Sequence, residues 1–324
     1  IESVSGGQAA DTITGDANAN FIEGFLGDDT LTGGAGADSV DGDAGNDLLI
    51  ASGDAAVDTY DGGAGVDTID FSPLTVSLNA NLATGAATFV SGTATITDSL
   101  IGLENVIGGS GADSFVGDAL ANSLNGGAGL DTVDYSSTTL GVSVNLTAGT
   151  ATGTETGADT LTAIENVLGG SGADTLIGDG AANVLTGGAG DDVVSGGDGN
   201  DVLIAATGLG DDSYDGGAGV DTLSFASATN PVFVNVSTGL ATGADIGADT
   251  ISTIEVVVGG SGADVLAGSA NADTLFGAGG ADRLLGVGGA DVLDGGAGDD
   301  SLLGGQGNDT LRGGGGADLL QGGF

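Results

Sequence analysis

Several residue types are missing, or nearly so, and each gap closes a class of function. Cysteine is absent, which excludes disulfides, thiol catalysis and thiolate zinc sites. Histidine is absent too, so no H-E-x-x-H zinc site can form and a serine nucleophile has no imidazole base. Lysine would be the substitute base, yet the only two cations are Arg283 and Arg312. Against them stand 46 acidic residues, for a formal charge of −44. Such a chain has no basic face for nucleic-acid phosphates, and anionic membranes repel it. No apolar run reaches the length of a membrane span, so no membrane insertion is expected. No signal peptide is visible at Ile1; either one has been removed or export uses a signal outside this segment. Carboxylate pairs for glycoside hydrolysis survive on residue type alone, but metal ligation accounts better for the acids. No enzymatic activity is expected of this segment.

What is present is acid, glycine and a rhythm. High negative charge usually marks disorder, yet 40% of residues are hydrophobic and mean hydropathy is +0.27. The 69 glycines are a second burden, because glycine loses the most backbone freedom on folding. Bound divalent cations would relieve both, by neutralising carboxylates and by coupling folding to metal binding.

The rhythm is clearest at Gly286–Asp294, Gly295–Leu303 and Gly304–Arg312, three copies of G-G-x-G-x-D-x-U-x with U a large apolar residue. Glycines at the first, second and fourth places read as turn positions of positive φ. The last three places alternate like a very short strand, with U on one face. The loop offers backbone carbonyls and one carboxylate, the oxygen-only set that suits Ca²⁺.

Twenty-three such units fall into four blocks, 6–70, 108–134, 169–224 and 259–324, holding seven, three, six and seven units. Blocks one and three share a two-residue insertion, Ala51-Ser52 and Ala205-Ala206, followed by Tyr60 or Tyr214 at the U place. Those tyrosines, with Tyr135, read as core plugs where the rhythm slips. Spacers at 71–107, 135–168 and 225–258 align with one another, and 1–5 is the tail of a fourth. Each spacer opens on an aromatic residue, alternates, turns at Thr84-Gly85, Ala148-Gly149 or Thr238-Gly239, and closes on an Ile/Leu-Glu pair. The spacers are expected to continue the solenoid as irregular rungs, giving one continuous domain over 1–324, about eighteen rungs long at a strand spacing of ~4.8 Å. Both ends cut through the repeat, so the chain reads as a segment of a longer protein. Apolar residues recur at period two or nine, never three-to-four, so no helix is expected.

The nonapeptide resembles the RTX (repeats-in-toxin) calcium-binding repeat. That resemblance implies an all-β fold, a calcium-bound parallel β-roll or β-helix solenoid with two nonapeptides per coil. Loops n and n+2 then stack on one edge with a cation between them, so a run of k loops has k−2 gaps. The four blocks give on the order of 15 sites, and roughly 15 to 20 Ca²⁺ in all, from oxygen cages of about six ligands. The candidate ligands are the sixth-place residues. They are Asp11, Asn20, Asp29, Asp38, Asp47, Asp58 and Asp67 in block one, and Asp113, Asn122 and Asp131 in block two. Block three has Asp174, Asn183, Asp192, Asp201, Asp212 and Asp221; block four has Asp264, Asp273, Asp282, Asp291, Asp300, Asp309 and Asp318. The run Ile164-Glu-Asn-Val-Leu-Gly-Gly-Ser-Gly-Ala-Asp174 also resembles the entry to the C-terminal calcium-binding domain of serralysin-type metalloproteases. There the Glu ligates the first calcium, which implies Glu104 and Glu165 here, then Glu255 and Glu2, where Val or Ser replaces the Asn.

Three functional readings follow. The first is an extracellular, calcium-dependent structural protein (surface layer, matrix fibre or adhesin stalk) that folds on Ca²⁺ after type I secretion and self-assembles. The second is the secretion-and-folding domain of an exported enzyme or toxin. A third, a module gripping cell-surface polysaccharide, would want cations that only Arg283 and Arg312 supply. The repeated block-and-spacer plan favours the first.

Overall fold

Each nonapeptide in the computed structural model, which describes residues 2–208 and 210–324, makes a six-residue turn and a strand. Thr30–Thr32, Ser39–Asp41 and Leu48–Ile50 are typical three-residue strands. Their middle residues, Leu31, Val40 and Leu49, are fully buried, and the flanking ones half-buried. Side chains alternate along a strand, so one large apolar residue in three is enough to build a wall. The strands pair in parallel with a register of eighteen residues: Ile22 lies beside Val40, and Leu31 beside Leu49. Eighteen is two nonapeptides per coil. Odd and even nonapeptides therefore form opposed walls of a parallel β-solenoid, with the U residues between them. Among the described residues the one helical element is a 3₁₀ turn, Val236–Thr238, and no helix is long and apolar enough to cross a membrane.

Two compact units are present, 2–135 with 148–166, and 136–147 with 167–208 and 210–324. In the first, Ile22, Val40, Tyr60 and Leu100 stack on one wall. Leu31, Leu49, Ile69, Val106, Leu124 and Leu161 stack on the other. The second unit repeats the plan with Leu176, Val194, Tyr214 and Ile251 facing Leu185, Leu203, Leu223, Val257, Leu275 and Leu293. Each such side chain contributes about 1.5–3 kcal/mol of burial. The insertions Ala51-Ser52 and Ala205-Ala206 widen the register from eighteen to twenty, so Val40 meets Tyr60 and Val194 meets Tyr214.

The spacers insert antiparallel reversals into these parallel walls. In the first, Leu78–Asn81, Ala86–Ser91 and Ala94–Ile101 form an antiparallel meander. Its outer strands return to parallel pairing, with Ser114–Val116 and with Thr59–Asp61. The third spacer does the same with Val232–Asn235, Leu240–Gly243 and Gly247–Ser252. The expected turns at Gly85, Gly149 and Gly239 are there, with φ of 68°, 65° and 69°. The second reversal of each meander, at Gly92 in the first spacer, has no counterpart in the sequence reading.

The glycine places divide differently from the sequence expectation. The second and fourth are left-handed, as at Gly34 (φ 101°) and Gly36 (φ 106°), but first-place glycines such as Gly33 and Gly42 are not. They are glycine for want of space: a Cβ on Gly42 would strike Oδ2 of Asp47 and the Gly62 carbonyl of the next coil. Four second places carry other residues at positive φ, Phe25 (73°), Asp43 (65°), Ala278 (71°) and Val287 (79°). A β-branched residue there is an outlier costing ~1–2 kcal/mol, part of which glycine's entropy would take back. Val287 is also half exposed and packs little. Val287→Gly is therefore expected to raise thermal stability in saturating calcium, by up to about 1 kcal/mol; a lower melting temperature would refute the strain.

Candidate metal centre

The sixth-place residues form a continuous ladder along each turn edge. The backbone N–H of Asp11 donates to Oδ1 of Asp29, and that of Asp29 to Oδ1 of Asp47, both at 2.7 Å. Asn20 to Asp38, Asp38 to Asp58 and Asp47 to Asp67 follow the same rule. In the second unit Asp174, Asp192 and Asp212 form one run and Asn183, Asp201 and Asp221 another. Asp264, Asp282, Asp300 and Asp318 form a third, Asp273, Asp291 and Asp309 a fourth. One carboxylate oxygen of each aspartate is thus committed to the backbone. The second oxygen decides the chemistry.

Two kinds of loop differ in that oxygen. In the first loop of each block Oδ2 accepts the second-place N–H of its own loop, Gly7 to Asp11, Gly109 to Asp113, Gly170 to Asp174 and Gly260 to Asp264. In the second loop the side-chain oxygen is held the same way, Asp16 to Asn20, Asp118 to Asn122, Asp179 to Asn183 and Ser269 to Asp273. None of these eight loops has a left-handed residue. The physical reason is that no glycine loop lies beneath them. From the third loop on, the backbone packs on a glycine loop one coil below, as Gly34 does on Asp16, and the loop takes left-handed residues.

There, Oδ2 is buried without any hydrogen bond. This is so for Asp29, Asp38, Asp47 and Asp67, for Asp131, for Asp192, Asp201 and Asp221, and for Asp282, Asp291, Asp300 and Asp309. Asp318 is half-buried, with Oδ1 taken by the Asp300 N–H. Asp58 and Asp212 differ, because Tyr60 and Tyr214 donate to their Oδ2 atoms at 3.0 and 2.9 Å. The tyrosines are buried as expected of plugs, and they carry this polar duty as well.

The glutamates sit at the end of a stack. Oε2 of Glu104, Glu165 and Glu255 accepts the N–H of Asp67, Asp131 and Asp221. The Glu104 and Glu255 carbonyls accept from Ser123 and Thr274 in the following block. Each carboxylate closes the ladder of the block before it. Glu2 offers its carbonyl to Phe21 in the same manner.

Three ladder members escaped the sequence reading. Asp98, Asp159 and Asp249 lie in spacers, are buried, and accept at Oδ1 from Asp58, Asn122 and Asp212. A signal was there: Gly157-Ala-Asp-Thr-Leu161 and Gly247-Ala-Asp-Thr-Ile251 spell the second half of a nonapeptide. Asp98 has only Thr97-Asp-Ser-Leu100.

Burial raises the pKa values along the ladder, against the lowering effect of the backbone hydrogen bonds and with help from neighbouring carboxylates. Asp67, Asp131 and Asp159 are pushed up to about 6. Asp98, Asp192, Asp249 and Asp282 reach about 7. Asp38, Asp47, Asp58, Asp201, Asp212, Asp221 and Asp291 move the same way for the same reason. So do the first-loop residues Asp113, Asp174 and Asp264.

These residues fit a hard divalent cation. An ionised oxygen buried without a donor is costly, and the space beside each one is kept open. At Gly24, Oδ2 of Asp29 and the Gly42 carbonyl both crowd the place where a Cβ would stand; Gly286 holds Asp291 and the Gly304 carbonyl alike. Among the described residues no three carboxylates or other classical ligands gather at one point, so each cage draws mainly on carbonyl oxygens, as calcium allows. Gly42→Ala fills one such cradle with carbon and overpacks it by ~1–3 kcal/mol. It should raise the calcium concentration needed to fold the chain several-fold, read by circular dichroism; an unchanged midpoint would remove the cradle from the argument.

Of the two arginines, Arg312 pairs with Asp294, one coil below in its own chain, at 3.1 Å. It is mostly exposed, so the pair adds little stability. It is nonetheless not a free cation waiting for another molecule.

Comparison with protein families gives one match. The model of the RTX calcium-binding nonapeptide repeat, in groups of four copies, matches residues 1–24, 23–55, 50–69, 107–137, 168–203, 206–223, 249–284, 258–293 and 285–320. These segments cover well over half of the chain and leave out most of each spacer. No curated protein matches the chain.

Proposed function

The chain belongs to the family of RTX calcium-binding nonapeptide repeats, and from that premise we propose that it is an extracellular structural protein which calcium folds after export. One observation carries the reading: buried, unpartnered Oδ2 atoms recur at twelve sixth-place aspartates of the third and later loops. Such oxygens supply a series of cation positions. A calcium-bound solenoid of this kind serves a surface layer, a matrix fibre or an adhesin stalk. In a low-calcium cytosol the acidic chain stays unfolded and can be threaded through a type I exporter; calcium outside then traps it folded. Bound calcium offsets most of the −44 charge, which lets rods approach one another and self-assemble. Surface polysaccharide is the weaker partner, since Arg312 is already engaged by Asp294.

Atomic absorption after equilibrium dialysis tests the calcium reading. More than ten Ca²⁺ per chain are expected from the cage count, and one or two would overturn it. Light scattering with and without millimolar calcium tests the structural role: growth of particles supports it, and monodisperse single rods at every concentration would end it. Retention of the protein in the cytoplasm on cell fractionation would count against the export step.

A further inference from the structure

Two rungs of the ladder depart from the rest in three ways at once. Asp58 and Asp212 occupy third-or-later loops, where every neighbour's second oxygen lacks a donor, yet theirs receive the hydroxyls of Tyr60 and Tyr214. Ser52, from the insertion, adds a second donor to Asp58 at 3.3 Å. The cradle is gone as well. Thr207 fills the first place of the second loop with a side chain, and a Cβ on Gly53 would meet Leu74 rather than a carboxylate. Finally, the coil stacked on each is a spacer strand: Tyr60 pairs with Leu100 and Tyr214 with Ile251. Unlike the strands that follow Asp67 and Asp221, these belong to the antiparallel hairpins, with no more than Gly247-Ala-Asp249 of the repeat left above Asp212.

We propose that Tyr60 and Tyr214 stand in for calcium, their hydroxyls satisfying the buried oxygen of Asp58 and Asp212 so that these two rungs take no cation. A phenol donates one hydrogen bond without needing six ligands, which suits a rung whose upper neighbour is a hairpin. Burial and the adjoining carboxylates push both hydroxyls far above their usual titration range, so they remain donors at any working pH. The second spacer follows the same logic by another route. Its block has no insertion and no tyrosine at a U place; instead Tyr135, which opens the spacer where Phe71 and Phe225 open the others, donates to Oδ2 of Asp159 at 2.9 Å. The three tyrosines of the chain thus stand at one spacer each, while the buried Oδ2 of Asp249 in the third spacer has no donor.

The inference rests on the calcium reading, and the two can fail separately. Bound calcium per chain is counted at saturation for matched substitutions, with circular dichroism confirming the β fold. Asp47→Asn and Asp201→Asn, at ordinary interior rungs, are expected to lower the count by at least one each. Asp58→Asn and Asp212→Asn are expected to leave it at the wild-type number. A calcium lost on either of the latter overturns the proposal; no loss on any of the four overturns the calcium reading instead. Tyr60→Phe and Tyr214→Phe keep the ring and provide a second measurement. Each should leave the count undiminished and lower the melting temperature in saturating calcium. A count that falls, or a melting temperature that does not, would also reject the proposal.

Discussion

In chelator at neutral pH the chain is expected to lose its β signal in far-UV circular dichroism, and to regain it cooperatively when calcium reaches the sub-millimolar to millimolar range. The ladder decides this by magnitude. An ionised carboxylate buried without a counterion costs several kcal/mol even after the surroundings relax, while a whole domain is stable by only ~5–15 kcal/mol. Three or four empty rungs therefore exceed anything the aliphatic columns leave in hand, and block one alone has four unpartnered oxygens at Asp29, Asp38, Asp47 and Asp67. Magnesium should not substitute, since it keeps its waters and demands a tighter octahedron than these carbonyl-rich loops provide. A full β signal in chelator at neutral pH would show that the buried charges are balanced by something else.

Protons are the one other species that can quieten the ladder, so acid should partly replace calcium. In the fold Asp67, Asp131 and Asp159 titrate near 6, and Asp98, Asp192, Asp249 and Asp282 near 7, against an ordinary value of 3.8. A carboxyl whose folded pKa is raised binds its proton more tightly in the fold. Its stabilising contribution is complete below 3.8 and is lost as pH climbs through 6 to 7. Metal-free chain should therefore show more β structure at pH 5 than at pH 7.5. With calcium the direction reverses, because the cation needs the ionised form. The calcium midpoint should rise as pH falls below about 7, and calcium added at pH 6.5 should release protons measurable in a pH-stat. A pH-independent midpoint with no proton release would sink the exchange.

What the sequence disclosed was whatever repeats. The period of nine fixed the strand at the last three places, the buried U residue and the phase of the acids, because each depends on residues within a single unit. The reasons behind the glycines were only half legible. Positive φ accounts for Gly34 and Gly36, but the emptiness beside Gly42 arises from Gly62 one coil away, and no local pattern displays a neighbour twenty residues off. The same holds for the division between opening and interior loops. Asp113 and Asp131 sit in nearly identical nonapeptides, but a spacer coil lies beneath the first and a glycine loop beneath the second, and their second oxygens differ accordingly.

Where the rhythm broke, side chains with two jobs were read for one. Tyr60 and Tyr214 were recognisable as plugs from their place at the insertions, but a hydroxyl aimed at Asp58 or Asp212 requires knowing that the aspartate lies two residues back on the same edge of a coil. Asp98, Asp159 and Asp249 were hidden for the opposite reason: each keeps its ladder duty after the nonapeptide around it has been rewritten as a hairpin. Arg312 looked available for another molecule until the eighteen-residue register set Asp294 beside it.

The opening loops have a bearing on how the chain behaves as a polymer. Because they satisfy their own side chains, they are seeds that need no ion, while each later loop whose second oxygen lacks a donor is a zipper tooth that closes only when an ion joins it. A seeded zipper grips in proportion to its length. The run at 108–134 has a single such tooth, at Asp131, whereas the runs at 169–224 and 259–324 have three and four. Runs of unequal length let go at unequal ion levels. Within the one cooperative transition, dilution of calcium would thus release the shortest run first, and the lengths of the blocks set the order in which the chain lets go of calcium.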